Sequence, residues 1–260
     1  MFYLHEVTYY IIKNMKNGKP LISVVIPAYN EEKHLPLCLS AFKKQTFKNF
    51  ELIVVDNNST DKTAEIARSF GAKVVREKTK GIIPAREKGY REAQCEIIAR
   101  TDADTIVSSN WLETIYETFT EKPRAVALMG TLHSPYRLIP HKVFRGITFF
   151  CFVALGKIVA GHVLLLGPNM ALKKSAWAKI KPHYDDKLVH EDIDLAFHLA
   201  QLGEIIYVPH LTVTFSPRRI HENFLRGLYQ YAGEYPLRYL RTIAIHKPKL
   251  KHLVGKKFNQ

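Results

Sequence analysis

The sequence predicts an α/β fold: a mostly parallel sheet flanked by helices, extended at the C-terminus by a basic helical segment. Three observations carry this. Short apolar runs alternate with helically periodic segments over the first 130 residues, which is the pattern of βαβ units. The runs end on turn-forming or acidic residues, at Pro27, Asp56 and Asp102. From Arg218 onward ten Lys/Arg stand against only Glu222 and Glu234.

The elements follow in order. Leu21 to Ile26, closed by Pro27, reads as a buried strand. Glu31 to Gln45 carries Leu35, Leu39 and Phe42 at helical spacing. Glu51 to Val55 is a second strand ending in Asp56, and Asn57-Asn58-Ser59-Thr60 is turn chemistry. Ser59 or Thr60 is expected to cap a helix from about Asp61, which Gly71 ends. Ala72 to Arg76 is a third strand, Gly81 to Ala93 is helical from about Pro84, and Cys95 to Arg100 is a fourth strand. A helix over Trp111 to Phe119 and a strand over Arg124 to Met129 complete the first half. Glu191 to Leu202 is an amphipathic helix, and Ile205 to Val208 and Leu211 to Phe215 are strands. Glu222 to Ile245 is helical, with Pro236 as a break or kink.

Val143 to Leu166 is the most apolar stretch, yet Arg145, Lys157 and His162 interrupt it. Its uncharged runs reach eleven residues, too few to span a bilayer core of about 30 Å. Two readings stand: an interfacial helix, or a core or dimer helix.

The bulk composition narrows the function classes. With 260 residues, 47% hydrophobic, the chain can bury one substantial α/β domain or two small ones. The formal charge of +14 favours an anionic partner: phosphorylated substrate, anionic lipid or nucleic acid. Cys38, Cys95 and Cys151 are widely spaced, without disulfide or metal-ligand spacing, which fits a reducing compartment. Met1 to Lys19 lacks a signal-peptide pattern. A cytoplasmic protein is therefore expected. No Gly-x-Gly-x-x-Gly follows the first strand, which counts against a dinucleotide-dependent oxidoreductase.

In an open parallel sheet, ligands bind outside the carboxyl ends of the strands. Pro27-Ala28-Tyr29, Asp56 and Asp102-Ala103-Asp104 all fall there. Residues i and i+2 of an extended chain point the same way, so Asp102 and Asp104 can share one ligand. Two carboxylates so placed suit a hard divalent cation and a phosphate-bearing molecule. Acidic strand ends would repel a nucleic-acid backbone, so none is expected as a partner.

Pro27-Ala28-Tyr29-Asn30-Glu31-Glu32, Val54-Val55-Asp56-Asn57-Asn58-Ser59-Thr60-Asp61, Gly81-x-x-x-Ala85-Arg86-x-x-Gly89, Asp102-Ala103-Asp104 and Glu191-Asp192 occur in that order. Together they resemble the family-2 glycosyltransferases of GT-A fold. The resemblance runs from about Ile22 to Leu202 and implies an inverting hexosyltransferase-like enzyme using a nucleotide-diphosphate sugar, with UDP-sugars favoured. It implies that Asp56 accepts a hydrogen bond from the nucleotide base, an acceptor-only task suited to a carboxylate. Pro27, Tyr29 and Glu31 would frame the donor from the first strand's end; Tyr29 could equally be a packed core aromatic. Arg86 would reach base carbonyl or phosphate oxygens.

Asp102 and Asp104 match the family's Asp-x-Asp, and Mg2+ or Mn2+ would bridge the two phosphates there. Asp104 is assigned as the closer metal ligand and Asp102 to ribose or metal. Asp192 matches the general base for the acceptor hydroxyl, with Glu191 beside it. Both acids would also complement a helix N-terminus. Asn169 falls where family members line the sugar and acceptor pocket.

Ser216-Pro217-Arg218-Arg219 resembles the Ser-x-Arg-Arg of non-processive members. Arg218 and Arg219 could clamp the diphosphate or simply begin the basic tail. No Gln-x-x-Arg-Trp motif follows, so transfer of a single sugar is expected rather than polymerisation. The division implied is 1–20 as N-terminal extension, 21–130 as nucleotide-sugar-binding half, 131–216 as acceptor-binding and catalytic half of the same domain, and 217–260 as basic helical extension. Aromatic Val143–Leu166 and the basic tail suggest an anionic membrane surface at the cytoplasmic face as a further partner, with a carbohydrate or lipid-linked acceptor. A non-catalytic nucleotide-sugar-binding protein is the alternative; it would not need Asp192.

Overall fold

The computed structural model describes residues 20–133, 141–183, 188–215 and 229–246. In chain order these form β1 (Ile22–Ala28), α1 (Leu35–Lys43), β2 (Phe50–Asp56), α2 (Thr63–Ser69), β3 (Lys73–Arg76), α3 (Ile82–Glu92) and β4 (Ile97–Arg100). There follow β5 (Ile106–Val107), α4 (Trp111–Glu121), β6 (Ala125–His133), α5 (His141–Thr148), a π-helical turn (Phe149–Ala154) and α6 (Leu155–Val159). A 3-10 turn (Gly167–Asn169) leads into β7 (Met170–Lys173) and α7 (Lys174–Trp177). Then come α8 (Glu191–Leu199), β8 (Glu204–Thr214), a second π-helical turn (Gln230–Glu234) and α9 (Tyr235–His246).

One sheet runs in the order β3-β2-β1-β4-β7-β6-β8-β5. Strands β3, β2, β1 and β4 are parallel, as are β6 and β8. β7 runs antiparallel between β4 and β6, and β5 antiparallel on β8. Every residue of β1 and β4 is buried, as expected of central strands covered on both faces. Ile22, Val24 and Ile26 pack with α1, α2 and α4, whereas Val25 packs with α3 and α8 on the opposite face. That is the period-2 alternation of a strand. β2 and β3 extend the sheet to one side of β1, and β4 extends it to the other. The strand order therefore reverses at β1/β4, where parallel sheets open a crevice.

Glycine sets one close approach. A Cβ on Gly89 would lie 2.3 Å from Val25 Cγ1 and 3.0 Å from Val55 Cγ2, so only glycine lets α3 sit this low on β1 and β2.

Several boundaries differ from expectation for physical reasons. Residues 205–208 and 211–215, read as two strands, are one strand, β8. Its ladder to β6 jumps from Met129↔Tyr207 to Thr131↔Thr212, and the extra residues include Pro209, which has no N–H to donate. Ser59 and Thr60 do not cap α2: both bond to Asn30, and the Asp61 carboxylate instead accepts the Thr63 N–H. Pro236 does not break the C-terminal helix. The helical run 229–246 continues through it, and Pro236 follows closely on the π-helical turn Gln230–Glu234, a local irregularity rather than an end.

The 143–166 stretch divides between its two readings. Val143, Ile147, Phe149, Phe150 and Ile158 are exposed, whereas Val163, Leu164 and Leu165 are buried in the core. No helix among the described residues is long and apolar enough to cross a membrane. α9 packs on α8 rather than standing away from the domain: Thr242 Oγ1 accepts the His190 N–H at 2.8 Å, and Ile243 is buried. The segments 1–19, 216–228 and 247–260, which hold the N-terminal extension, Arg218, Arg219 and most of the basic tail, lie outside the described residues.

Candidate active site

The β1 and β2 ends are tied together by backbone and short polar side chains. The register pairs Pro27 with Val55 and Ala28 with Asp56. Beyond it, the Asn30 N–H donates to Ser59 Oγ at 3.0 Å, and the Thr60 N–H donates to Asn30 Oδ1 at 2.8 Å. The Glu31 N–H donates to Thr63 Oγ1 at 2.7 Å, and the Glu32 N–H to Asp61 Oδ2 at 3.1 Å. Asn30 and Asn58 occupy left-handed backbone, φ 54° and 64°, which asparagine tolerates better than most residues.

Asp56 is buried at the end of β2, and its Oδ1 accepts the Ser59 N–H at 3.0 Å. Asn57, buried next to it, donates to the Glu77 and Thr79 carbonyls and accepts the Gly81 N–H at 2.8 Å. It thereby fixes the loop that carries Lys80. Tyr29 is 49% exposed, which excludes a core role, and Lys80 Nζ lies 5.8 Å from its ring centre. Pro27 and Glu31 are buried at the same edge.

The second cluster is centred on Asp192, in the first turn of α8 and 4% exposed. One of its oxygens, Oδ1, accepts from Arg100 and, at 3.4 Å, from Arg86 Nη1. The other, Oδ2, accepts the Gly167 N–H at 2.9 Å. Both guanidiniums are buried. Burial pushes the Asp192 carboxyl up, but the Arg100 and Arg86 charges outweigh it and hold the group below the usual carboxylate range. Arg100 feels burial the other way and is nevertheless raised, by Asp192 and then Asp102.

Arg100 also reaches forward: its Nη2 lies 3.4 Å from Asp102 Oδ1. One side chain thus joins the Asp-x-Asp to Asp192. Gly167 is required by this arrangement, since a Cβ there would lie 2.6 Å from the Arg100 guanidinium. Tyr90 is buried under the same cluster, its phenol pushed up to about 12 by burial. Asp102 and Asp104 are both half-buried at the end of β4, and the Thr105 N–H closes the turn onto the Asp102 carbonyl at 3.1 Å. Two partly accessible carboxylates with hard oxygen donors form a set that fits a divalent cation.

Glu191 faces α9, where its Oε2 accepts from Arg238 Nη2 at 2.9 Å. Asp194 lies two residues past Asp192 and points away from the arginines, to His183, His198 and His246.

Asn169 is a correction. Its amide nitrogen donates to the Thr131 and Leu211 carbonyls at 2.9 and 2.8 Å, and its oxygen accepts Trp111 Nε1 at 2.8 Å. It is fully buried, so it pins β6, β8 and α4 together and has no amide hydrogen left for a sugar.

Two participants escaped the sequence reading, Arg100 and Arg238. Arg100 had a signal: an arginine ending the apolar run Ile97-Ile98-Ala99 must find a carboxylate if the strand is central. Arg238 had none, because its partner lies 47 residues away.

Residues 23–140 match the family model described as glycosyl transferase family 2. Among curated proteins, the chain is 39% identical over 114 residues to the glycosyltransferase GlyG of Streptococcus pneumoniae, covering 42% of this chain and 38% of that one. It spans about a third of the length of the curated relatives it matches. Among solved structures, glucosyl-3-phosphoglycerate synthase from Mycobacterium tuberculosis, in complex with Mn2+, UDP-glucose and phosphoglyceric acid, aligns with TM-score 0.62 at 18% identity, over 90% of this chain and 84% of that one. A mannosyltransferase from Pyrobaculum calidifontis, in complex with GDP-Man and Mn2+, aligns with TM-score 0.60 at 17% identity, over 96% and 85%.

Proposed function

Since the chain belongs to the family-2 glycosyltransferases and has their GT-A fold, we propose that it moves one hexosyl group from a nucleotide-diphosphate sugar to an acceptor hydroxyl with inversion. The observation that supports this most directly is the Arg100 bridge, which sets Asp192 and Asp102 on one guanidinium at the sheet's switch point. In this reading Asp56 accepts the base N–H, with Tyr29 and Pro27 framing it. A UDP-sugar is favoured, and a GDP-sugar is the competing donor.

Asp104 and Asp102 would hold Mg2+ or Mn2+, which would supply charge neutralisation of the diphosphate. Arg86 and Arg100 are the second source of positive charge. A diphosphate carries more charge than one carboxylate and competes for both guanidiniums, releasing an Asp192 oxygen. The acceptor oxygen then attacks the anomeric carbon while the bond to the diphosphate breaks. The diphosphate leaves with the electron pair, and the hydroxyl proton passes to Asp192. Glu191 keeps α8 in place through Arg238 rather than touching the sugar. The exposed Val143, Ile147, Phe150 and Ile158, with Lys142, Arg145 and Lys157 on the same helical segment, favour a lipid-linked acceptor at an anionic membrane surface.

The test is release of nucleoside diphosphate and sugar transfer over a panel of UDP- and GDP-sugars, with and without Mn2+. Metal-dependent release from one donor, reduced about 100-fold or more in Asp192→Asn, is expected. Donor binding with no turnover, unchanged in Asp192→Asn, would instead establish the non-catalytic nucleotide-sugar binder.

A further inference from the structure

On the far side of α8 from the arginines, four ligand-type side chains from three chain segments meet. They are His183, from the loop after α7; Asp194 and His198, one turn apart on α8; and His246, at the end of α9. Their ligating atoms all lie within 4.8 Å of one another. Three imidazole nitrogens converge on the single oxygen Asp194 Oδ1: His246 Nε2 at 2.6 Å, His183 Nδ1 at 2.9 Å and His198 Nε2 at 3.7 Å. His198 Nε2 and His183 Nδ1 also face each other at 3.4 Å. One carboxylate oxygen with two principal lone-pair directions does not serve three donors, and the contact between the two ring nitrogens is long for a hydrogen bond. A cation in the middle satisfies all four atoms at once.

We propose that His183, Asp194, His198 and His246 form a structural zinc site that locks α9 onto α8. Zinc at 2.0–2.1 Å from each of four tetrahedral ligands separates those ligands by about 3.3 Å. The observed spacings of 2.6–3.7 Å bracket that value, and the widest separation, up to 4.8 Å, would have to close by roughly 1.5 Å. Three imidazoles and one carboxylate favour zinc over the hard cations suited to Asp102 and Asp104.

The surroundings hold the ligands in place. The His183 backbone N–H donates to Asp194 Oδ2 at 2.7 Å, which turns Oδ1 towards the rings. Phe197 stacks on the His246 ring, centroids 4.3 Å apart and planes within 6°. Four protein ligands close the coordination sphere, so the metal has no place for substrate and its role is structural. The Asp194 side chain is 1% exposed, whereas that of His183 is 45% exposed and offers an entry path. The consequence reaches the active site, because Asp192 and Asp194 share the first turn of α8 and α9 holds Glu191 through Arg238.

The full chain is stripped with chelator and titrated with Zn2+ and, separately, Co2+. Metal stoichiometry, the visible spectrum of the cobalt form and the Tm are recorded. Wild type, His183→Ala, His198→Ala and Asp104→Asn are compared. The expected result is one tight zinc in wild type and in Asp104→Asn, a tetrahedral cobalt spectrum, and a Tm that rises with zinc. Affinity should fall by more than about 100-fold in His198→Ala and in His183→Ala, whose exposed ring can be removed without disturbing the core. Zinc binding unchanged in both histidine variants, zinc lost in Asp104→Asn, or no tight zinc and no change in Tm would each overturn the site.

Discussion

Neutralising Asp192 should destabilise the protein far more than neutralising Asp102, although both carboxylates touch Arg100. Asp192→Asn keeps the side-chain volume and an oxygen for the Gly167 N–H but removes the charge between two buried guanidiniums. Other carboxylates lie near them, Glu87 at 3.6 Å from Arg86 Nε and Asp102 at 3.4 Å from Arg100 Nη2, but neither sits between the two guanidiniums as Asp192 does. Leaving one partner of a buried ion pair uncompensated costs about 3–5 kcal/mol. At about 2–4 °C per kcal/mol for a chain of this size, the Tm should drop by roughly 6–20 °C. Asp102 is half-exposed, so Asp102→Asn should cost about 1 kcal/mol or less. Urea denaturation and calorimetry at neutral pH measure both. In a double-mutant cycle, Arg100→Met on the Asp192→Asn background should recover part of the loss, with a coupling of about 0.5–3 kcal/mol. An Asp192→Asn protein within about 1 kcal/mol of wild type, or additive behaviour in the cycle, would refute the idea that Asp192 is the counter-charge of this core.

Other consequences are as direct. Asn169→Ala strands two carbonyls and the Trp111 N–H and should cost about 3 kcal/mol or more in urea denaturation, with donor affinity of the folded protein unchanged. Gly89→Ala places a Cβ 2.3 Å from Val25 and should cost about 1–3 kcal/mol by forcing α3 off the sheet. Asp61 gives an acid-side effect: burial raises its carboxyl, but the Thr63 hydroxyl and the Glu32 and Thr63 N–H groups outweigh this and lower it. A depressed folded value means the stabilisation is present above the unfolded value of about 3.9 and is lost as pH falls through the folded one. Stability against urea should therefore fall less steeply below about pH 4 in Asp61→Asn than in wild type.

The fold was legible because its signals are local. Val24–Ile26, Val54–Val55 and Ile97–Ala99 are continuous apolar runs, and the acids after them sit at strand ends for that reason alone. The short strands β5 and β7 are not foreseen, because runs of two and four residues have no measurable period. At the site, residue types were readable and their wiring was not. Asp192 was found as an acid opening a helix, but its two arginines come from α3 and β4, 106 and 92 residues away. Asn169 had the polarity of a binding residue, and only the crossing of β6, β8 and Trp111 reveals that its polarity is spent inside the protein. The histidines of the α8–α9 junction are scattered over 64 positions and show no ligand spacing, apart from Asp194 and His198 at i, i+4.

The claim that the β1, β2 and β4 ends form one nucleoside-diphosphate pocket is tested most directly by calorimetric titration of UDP and GDP. The proteins are wild type, Asp56→Ala and Asp104→Asn, each with and without Mn2+. The expected result is tight binding only with the metal, weakened at least 10-fold by Asp56→Ala at every metal concentration, and made insensitive to the metal by Asp104→Asn. Equal binding by all three proteins, or binding indifferent to Mn2+ in wild type, would contradict it.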